Sequence, residues 1–320
     1  MTSVITGVGA ALPATIVDNA AFAYLNITDQ WIVGRSGIRQ RYHLQPDERL
    51  VDLAVTAAEN ALADCKLTAE DIDMVIVATS TSDHVSPGLA AELAYLLGAP
   101  AVGAIDMSGA CTGFLYALDY AMARVDQGTS DRILVVGADA MSRLADPNDP
   151  NTAFLFGDGA GAVIVQASHS SECTDCAQYL SFGSAGEGAD FLYVGRETGR
   201  LQMDGGEVYV AAVDTMTEEV ENVLCACEFE KDDVDLVVCH QANARIVNAV
   251  GRELGLPTEK IASYVAEVGN TSSASIPIAL WKAQNDNVLK PGNRVVLAAF
   301  GAGFTWGAGV INWKGCQHHE

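Results

Sequence analysis

Basic residues are scarce in this chain. Across 320 residues, 18 Lys and Arg stand against 41 Asp and Glu, giving a formal net charge of −23. Gripping a polyanion takes clustered cations, so nucleic acid is excluded as a partner, and the acidity reads as a solubility feature. Long apolar runs are also missing: no stretch approaches the ~18 residues that cross a bilayer. The opening Thr2-Ser3-Val4-Ile5-Thr6-Gly7 has neither the basic start nor the apolar run of a secretory signal. These absences predict a soluble, cytoplasmic protein with no membrane partner. No Pro/Ser linker or low-complexity tract divides the chain. Its 49% hydrophobic content therefore reads as a single body of about two domain-sized units that share an interface.

Eight cysteines are present, but the second well-spaced pair that a structural zinc site needs is not. Cys173-Thr174-Asp175-Cys176 has C-x-x-C spacing. Cys225 and Cys227, one residue apart on a helix expected over Val208 to Cys227, point in different directions. The expectation is no metal, with reduced and inert thiols.

What the chain does have is an internal repeat. Asp71-Ile72-Asp73-Met74-Val75-Ile76-Val77 returns 162 residues on as Asp233-Val234-Asp235-Leu236-Val237-Val238-Cys239, and Asp131-Arg132-Ile133-Leu134-Val135-Val136 returns as Asn293-Arg294-Val295-Val296-Leu297-Ala298. Between them Ala104 to Leu118 aligns with Ala266 to Leu280 at the same offset. One ungapped offset over three segments points to a duplicated βα-type unit. The period is too long for a solenoid, so two layered halves are expected, 1–168 and 169–320, joined near Gln166 to Ser171.

The repeat pairs the segments that carry chemistry. In Asp106-Met107-Ser108-Gly109-Ala110-Cys111-Thr112-Gly113-Phe114, an extended run passes through small residues into a helical pattern. Cys111 thus lies near a helix N-terminus, where free N–H groups and the helix dipole are expected to lower a thiol pKa and favour attack. A buried small hydrophobe is the plainer alternative for a lone Cys, but Gly109, Ala110 and Gly113 leave room at the sulfur. His240 follows the strand Leu236-Val237-Val238-Cys239, at the carboxyl end where α/β sheets bind ligands; its repeat partner is Ala78. In Gly269-Asn270-Thr271-Ser272-Ser273, Asn270 lies opposite Ser108 and Ser273 opposite Cys111. Packing of the halves about a pseudo-twofold would bring Cys, His and Asn together.

Two glycine-rich stretches remain. Phe156-Gly157-Asp158-Gly159-Ala160-Gly161 is followed by a β-type run where a dinucleotide loop requires a helix, which excludes a Rossmann reading. Phe300-Gly301-Ala302-Gly303-Phe304-Thr305-Trp306-Gly307 has a permissive backbone that could turn N–H groups toward a reacting oxygen.

Together with Thr28-Asp29-Gln30-Trp31-Ile32, Arg35-Ser36-Gly37-Ile38-Arg39 and His240-Gln241-Ala242-Asn243, these motifs resemble, in order and from end to end, the β-ketoacyl-acyl carrier protein synthase III family of thiolase-like condensing enzymes. The resemblance implies a five-layered αβαβα thiolase-like fold, a homodimer, and no cofactor beyond the substrates acyl-CoA and malonyl-acyl carrier protein. It implies that Cys111 takes the acyl group, with the backbone N–H groups of Cys111, Ala302 and Gly303 as oxyanion hole. His240 and Asn270 would donate to the malonyl thioester carbonyl as CO₂ leaves. Trp31, Arg35, Asn243, Phe304 and Ser86 would bind substrate, with Ser86 contributed across the dimer where short-chain enzymes carry Phe. Arg245 and Arg252 match positions that face the carrier protein.

Four positions depart from the family pattern where substrates enter: Pro150 for an Arg beside the adenine, Gly206 for a pantetheine-contacting Asn, Val210 for a Lys, and Val268 for a His before Gly-Asn. Among rival activities, a degradative thiolase needs a second Cys in 301–309, and none is there. An acyltransferase acting on another acceptor could dispense with Asn270, so its retention favours condensation.

Overall fold

The computed structural model describes residues 2–168 and 178–315. The first part runs β1 (Thr2–Ala11), β2 (Ile16–Asp18), α1 (Asp29–Ser36), β3 (Gln40–Tyr42), α2 (Leu50–Asp64), β4 (Met74–Ala78), α3 (Leu89–Leu97), β5 (Gly103–Met107), α4 (Gly113–Asp126), β6 (Arg132–Ala140) and β7 (Asp158–Ser168). The second runs β8 (Tyr179–Ser184), β9 (Leu192–Val194), β10 (Leu201–Met203), α5 (Gly205–Ala226), β11 (Leu236–Cys239), α6 (Ala244–Glu253), α7 (Val265–Val268), α8 (Ser275–Asn285), β12 (Arg294–Gly301) and β13 (Thr305–Asn312).

Two mixed sheets carry the fold, in the orders β1-β7-β6-β4-β5 and β11-β12-β13-β8. Their strands are apolar on both faces, as strands covered on both sides must be. Along β4, Ile76 and Ala78 pack toward the middle of the molecule, whereas Val75 and Val77 pack toward α2 and α3. Along β12, Val295 and Leu297 turn to the middle while Val296 and Ala298 turn to α5 and α6. The middle layer is α4 and α8, which share one core with the inner faces of both sheets. The layers are therefore α2/α3, sheet, α4/α8, sheet, α5/α6, the five-layered αβαβα thiolase-like arrangement.

The 162-residue offset reappears residue by residue. The 3-10 turn Ala69–Asp71 recurs as Lys231–Asp233, each closed by a capping box. The turn Ala110–Thr112 recurs as Ser272–Ala274, and β6 and α4 start 162 residues before β12 and α8. One segment breaks the rule: the counterpart of edge strand β5 is the short helix α7. There the place beside β11 is taken by Ile261, which bridges Val237.

The helix expected over Val208 to Cys227 is α5, and its Cys225 is exposed while Cys227 is buried. Cys173 and Cys176, like the expected join after Ser168, fall outside the described residues. Among the described residues there is no group of three or more His, Cys, Asp or Glu placed to hold a metal ion, and no helix is long and apolar enough to cross a membrane.

Candidate active site

Cys111 sits in the turn between β5 and α4. Ala110 holds a left-handed φ of 47°, a costly conformation for a residue with a side chain, and strain of this kind gathers at functional sites. Backbone from the far end of the chain lies against the turn: a Cβ on Gly301 would come within 3.0 Å of the Cys111 nitrogen. The Thr112 hydroxyl donates to the Thr305 carbonyl at 3.2 Å, and the Thr305 hydroxyl to that of Ala302 at 3.1 Å, which clips residues 301–305 to the Cys111 turn.

The thiol itself departs from expectation. Burial pushes its pKa up to about 12, with the Asp139 carboxylate adding to the rise, while a hydrogen bond with the Ser272 side chain pulls the other way. Desolvation of the thiolate in an apolar cavity outweighs the helix terminus. The resting group is the thiol.

His240 follows β11 directly and is held by its backbone N–H, which donates to the Ala298 carbonyl at 2.7 Å. His240 is 2% exposed, and burial lowers its pKa to about 4, so it is neutral at physiological pH. Its Nδ1 lies 2.6 Å from Ser275 Oγ, which leaves Nε2 for the cavity. The next residue, Gln241, ties the strand end down, donating to the carbonyls of Cys239 and Ala262 and accepting from the Tyr264 N–H.

Asn270 is fixed from both sides. Its Oδ1 accepts from the Ser272 N–H at 2.9 Å, so its Nδ2 is the group left to donate. Its backbone N–H donates to the Leu155 carbonyl, and its carbonyl accepts from the Gly157 N–H. That is the work of the Phe156-Gly157 stretch, which leads into β7 and not into a helix. A Cβ on Gly157 would fall 2.2 Å from the Val268 carbonyl, so only glycine allows the approach. Behind it the fully buried Arg41 donates to the Phe154 carbonyl at 2.7 Å and to Asn19 at 2.8 Å.

Cys111, His240 and Asn270 all line one cavity of about 120 Å³, whose walls are otherwise mostly apolar: Met141, Leu155, Leu201, Met203, Ala212 and Phe300 among them. A second cavity of about 630 Å³ shares Leu155, Met203, Val208, Asn243 and Ile246 with the first and forms its mouth. Its rim carries Arg35 and Arg245, set against Asp149 and Asp204.

This geometry belongs with a known group. Models of the 3-oxoacyl-[acyl-carrier-protein] synthase III family match residues 105–181 and, for the C-terminal part, 224–313. Beta-ketoacyl-[acyl-carrier-protein] synthase III 3 of Streptomyces coelicolor is 42% identical over 326 residues, covering 97% of each chain. The chain belongs to the 3-oxoacyl-[acyl-carrier-protein] synthase III family. The crystal structure of the Pseudomonas aeruginosa PAO1 synthase III superposes with a TM-score of 0.93 at 39% identity, covering 98% of this chain and 99% of that one. The priming β-ketosynthase of the R1128 polyketide pathway does so at 0.91 and 32%, covering 98% and 96%. The chain is thus an acyl-transferring condensing enzyme of the thiolase fold.

Of the residues singled out from sequence, the structure brings Asn243 to both cavities, where its Oδ1 also caps α6 by accepting from the Ile246 N–H at 2.9 Å. Ala302 lines the inner cavity, and Gly303 follows it with φ 142°. Three residues lie elsewhere. Phe304 stands behind the wall, in the turn between β12 and β13, packed on Phe300 at 4.8 Å and Phe191 at 6.1 Å; the aromatic that lines the cavity is Phe300, at the end of β12. Trp31 does not line the mouth, since Arg35 lies over its ring at 4.9 Å and Phe154 meets it edge-on at 5.5 Å. Ser86 is on the exposed loop between β4 and α3, away from the cavity of its own chain.

Arg245 and Arg252 share a face of α6, Arg245 over the Tyr209 ring at 5.1 Å and Arg252 3.2 Å from Glu253. Gly206 and Val210 line the mouth, while Val268 is buried against Ala10, Ala274 and Ile278, where a His would be desolvated. Ser272, Ser275, Asp139 and Phe300 are not among the site residues expected from sequence, although Phe300 and Ser272 lie within the motifs quoted there; Ser272 is also the repeat partner of strained Ala110, and its own φ is 50°.

Proposed function

We propose that Cys111, His240 and Asn270 divide between them the two halves of a decarboxylating condensation that joins an acyl-CoA starter to malonyl-acyl carrier protein. In the first half, Cys111 Sγ bonds to the acyl carbon and the CoA thiol leaves with the proton. The Cys111 and Ala302 to Gly303 backbone N–H groups stabilise the oxyanion. In the second, the malonyl C–C bond breaks to release CO₂, and the electron pair moves onto the thioester oxygen. The Nε2–H of neutral His240 and the Nδ2 of Asn270 donate to that oxygen. The enolate carbon then bonds to the acyl carbon, Cys111 leaves as the thiolate and takes a proton from water to restore the resting thiol, and 3-oxoacyl-carrier protein is the product.

The observation that carries this reading is the convergence of the three side chains, from three separate elements, on one apolar cavity. An amide held by Ser272 with its donor end free favours condensation over transfer to another acceptor. No cofactor enters these steps. The mouth would take the pantetheine arm, with Arg35 and Asn243 at its sides and Trp31 beyond Arg35, and α6 would present Arg245 and Arg252 to the acidic carrier protein. We read the chain as a cytoplasmic homodimer of two halves dividing near residue 168. The pairing edge would be β5, bonded to β4 alone, with Val85, Tyr95 and Ile105 exposed nearby. The Ser86 loop would then reach the partner's acyl cavity, and a small residue there would leave room for starters longer than acetyl.

The test is mass spectrometry of the protein after incubation with acetyl-, hexanoyl- and decanoyl-CoA, then with malonyl-carrier protein. Acyl mass on Cys111, with 3-oxoacyl-carrier protein as product, is expected, and Ser86→Phe should shift loading toward acetyl. An enzyme that never acylates Cys111, or whose acyl group passes on without loss of CO₂, overturns the reading.

A further inference from the structure

The neutral ring of His240 has two tautomers, and only one of them can donate into the cavity. Ser275, the first residue of α8, is 1% exposed, and its Oγ lies 2.6 Å from His240 Nδ1. The same oxygen accepts from the Gln241 backbone N–H at 3.3 Å. That amide can only donate and takes one of the oxygen's two lone pairs, and among the partners of this hydroxyl only the imidazole nitrogen can accept its single proton. His240 Nδ1 is the other partner of that oxygen. Gln241 is itself immobilised by bonds to Cys239, Ala262 and Tyr264, so the amide cannot swing away to free the lone pair.

We propose that Ser275 is a positioning residue for the condensation half-reaction: its hydroxyl donates to His240 Nδ1, holding the proton of the neutral imidazole on Nε2, where it faces the malonyl thioester. The tautomer of a histidine is set by the bond its other nitrogen makes, and outer partners of this kind commonly matter about 10- to 100-fold. The second half of the fold thus orients both donors from one segment, Asn270 through the backbone N–H of Ser272 and His240 through the hydroxyl of Ser275. Ser275 touches no reacting atom and acts through the ring. The proposal rests on the reading of His240 as a donor given above.

The test uses the full-length enzyme with Ser275→Ala, Ser275→Thr and His240→Ala. Acylation of Cys111 by acyl-CoA is measured separately from release of 3-oxoacyl-carrier protein. Ser275→Ala is expected to load at the wild-type rate and to lose about 10-fold or more in kcat for condensation, with KM for malonyl-carrier protein little changed. Ser275→Thr, which keeps the hydroxyl, should recover most of the loss. Independently, ¹⁵N spectra of histidine-labelled protein, with His240 assigned from its absence in His240→Ala, should show protonated Nε2 and bare Nδ1 in the wild type and a mixture of tautomers in Ser275→Ala. Unchanged condensation in Ser275→Ala, loading that falls in parallel with it, or a wild-type His240 protonated on Nδ1 each overturns the proposal. If His240→Ala itself condenses normally, the reading of the site has failed; if His240→Ala is dead and Ser275→Ala is not, only the role of Ser275 has.

Discussion

The turn Ala110–Thr112 and the turn Ser272–Ala274 are the same backbone used twice. Both are 3-10 turns entering a central helix, and both open with a non-glycine residue at positive φ, 47° and 50°. Their middle residues do opposite things. Cys111 faces the cavity, whereas Ser273 turns into the seam between the halves, its hydroxyl 2.8 Å from the Ala78 carbonyl and 2.6 Å from Asp139 Oδ2. Ala78 is the repeat counterpart of His240, so each turn meets the strand end of the other half. The first turn meets a histidine and, in the proposed reaction, becomes the reaction centre. The second meets an alanine carbonyl and becomes a joint. Duplication supplied the geometry, and side-chain identity at a few positions decided which copy carries chemistry.

The largest effect expected from breaking this asymmetry is at the nucleophile. Cys111→Ala should abolish acyl-enzyme formation outright, as read by mass spectrometry after incubation with acyl-CoA. Next come the donors of the second half. His240→Ala and Asn270→Ala should still load acyl groups but each lose about 100-fold in condensation, the usual result of removing one donor from a developing oxyanion. Stopped assays of 3-oxoacyl-carrier protein check this, and condensation at the wild-type rate in both variants would falsify the division of labour.

How much of this was legible beforehand follows the same line. The repeat, the strand ends and the two turns could be read because apolar alternation and small residues repeat at one offset, as β4 does in β11 and β6 in β12. Convergence of Cys111, His240 and Asn270 followed from that symmetry together with the family resemblance. The protonation of Cys111 was misjudged because a helix terminus is a local feature, while desolvation depends on walls such as Met141, Phe300 and Ala212 contributed from across the chain. Phe300 and Phe304 flank the same Gly-Ala-Gly turn, and the resemblance points to Phe304; only the course of the turn, which leaves Phe300 at the end of β12 on the cavity and Phe304 behind it, tells them apart. Asp139 gave no sign at all. A single Asp in Val136-Gly137-Ala138-Asp139 shows its role only once the Ser80 N–H, the Thr81 hydroxyl and both Ser273 donors are seen around it.

That carboxyl makes the joint testable. Ser273→Ala removes the one hydroxyl that lies between the Asp139 carboxyl and the Ala78 carbonyl, leaving buried acceptors short of a donor. A loss of about 1–3 kcal/mol of stability is expected, with acyl loading retained in the folded protein. Urea unfolding checks it, and a variant as stable as wild type but unable to load would reverse the assignment of joint and reaction centre. At the surface the effect should be smaller. Charge reversal at Arg245, on the rim, should raise KM for malonyl-carrier protein by up to about 10-fold and leave acyl-CoA loading nearly unchanged, since a rim charge acts mainly on encounter. Unaltered carrier-protein kinetics would remove α6 as the docking face.

The smallest effect should come from Ser272, the strained residue that corresponds to Ala110. Its side chain hydrogen-bonds the Cys111 thiol and holds the pKa below where burial alone would put it, about 12 as the site stands. Its backbone N–H separately fixes Asn270, and alanine preserves that bond. Ser272→Ala should therefore move the thiol pKa further upward. Because the thiolate is the reactive form, the rate of alkylation by iodoacetamide between about pH 8 and 10 should fall by about three- to tenfold, the worth of one hydrogen bond. The rise of that rate with pH should shift to higher pH, not lower. Condensation by enzyme already acylated should be unaffected, since the acyl-thioester has no proton to lose and Asn270 keeps its orientation. Alkylation as fast as in wild type would show that the Ser272 hydroxyl does not help hold a thiolate. The positive φ at 272 would then be a relic of the turn's geometry alone, shared with Ala110 and without chemical consequence.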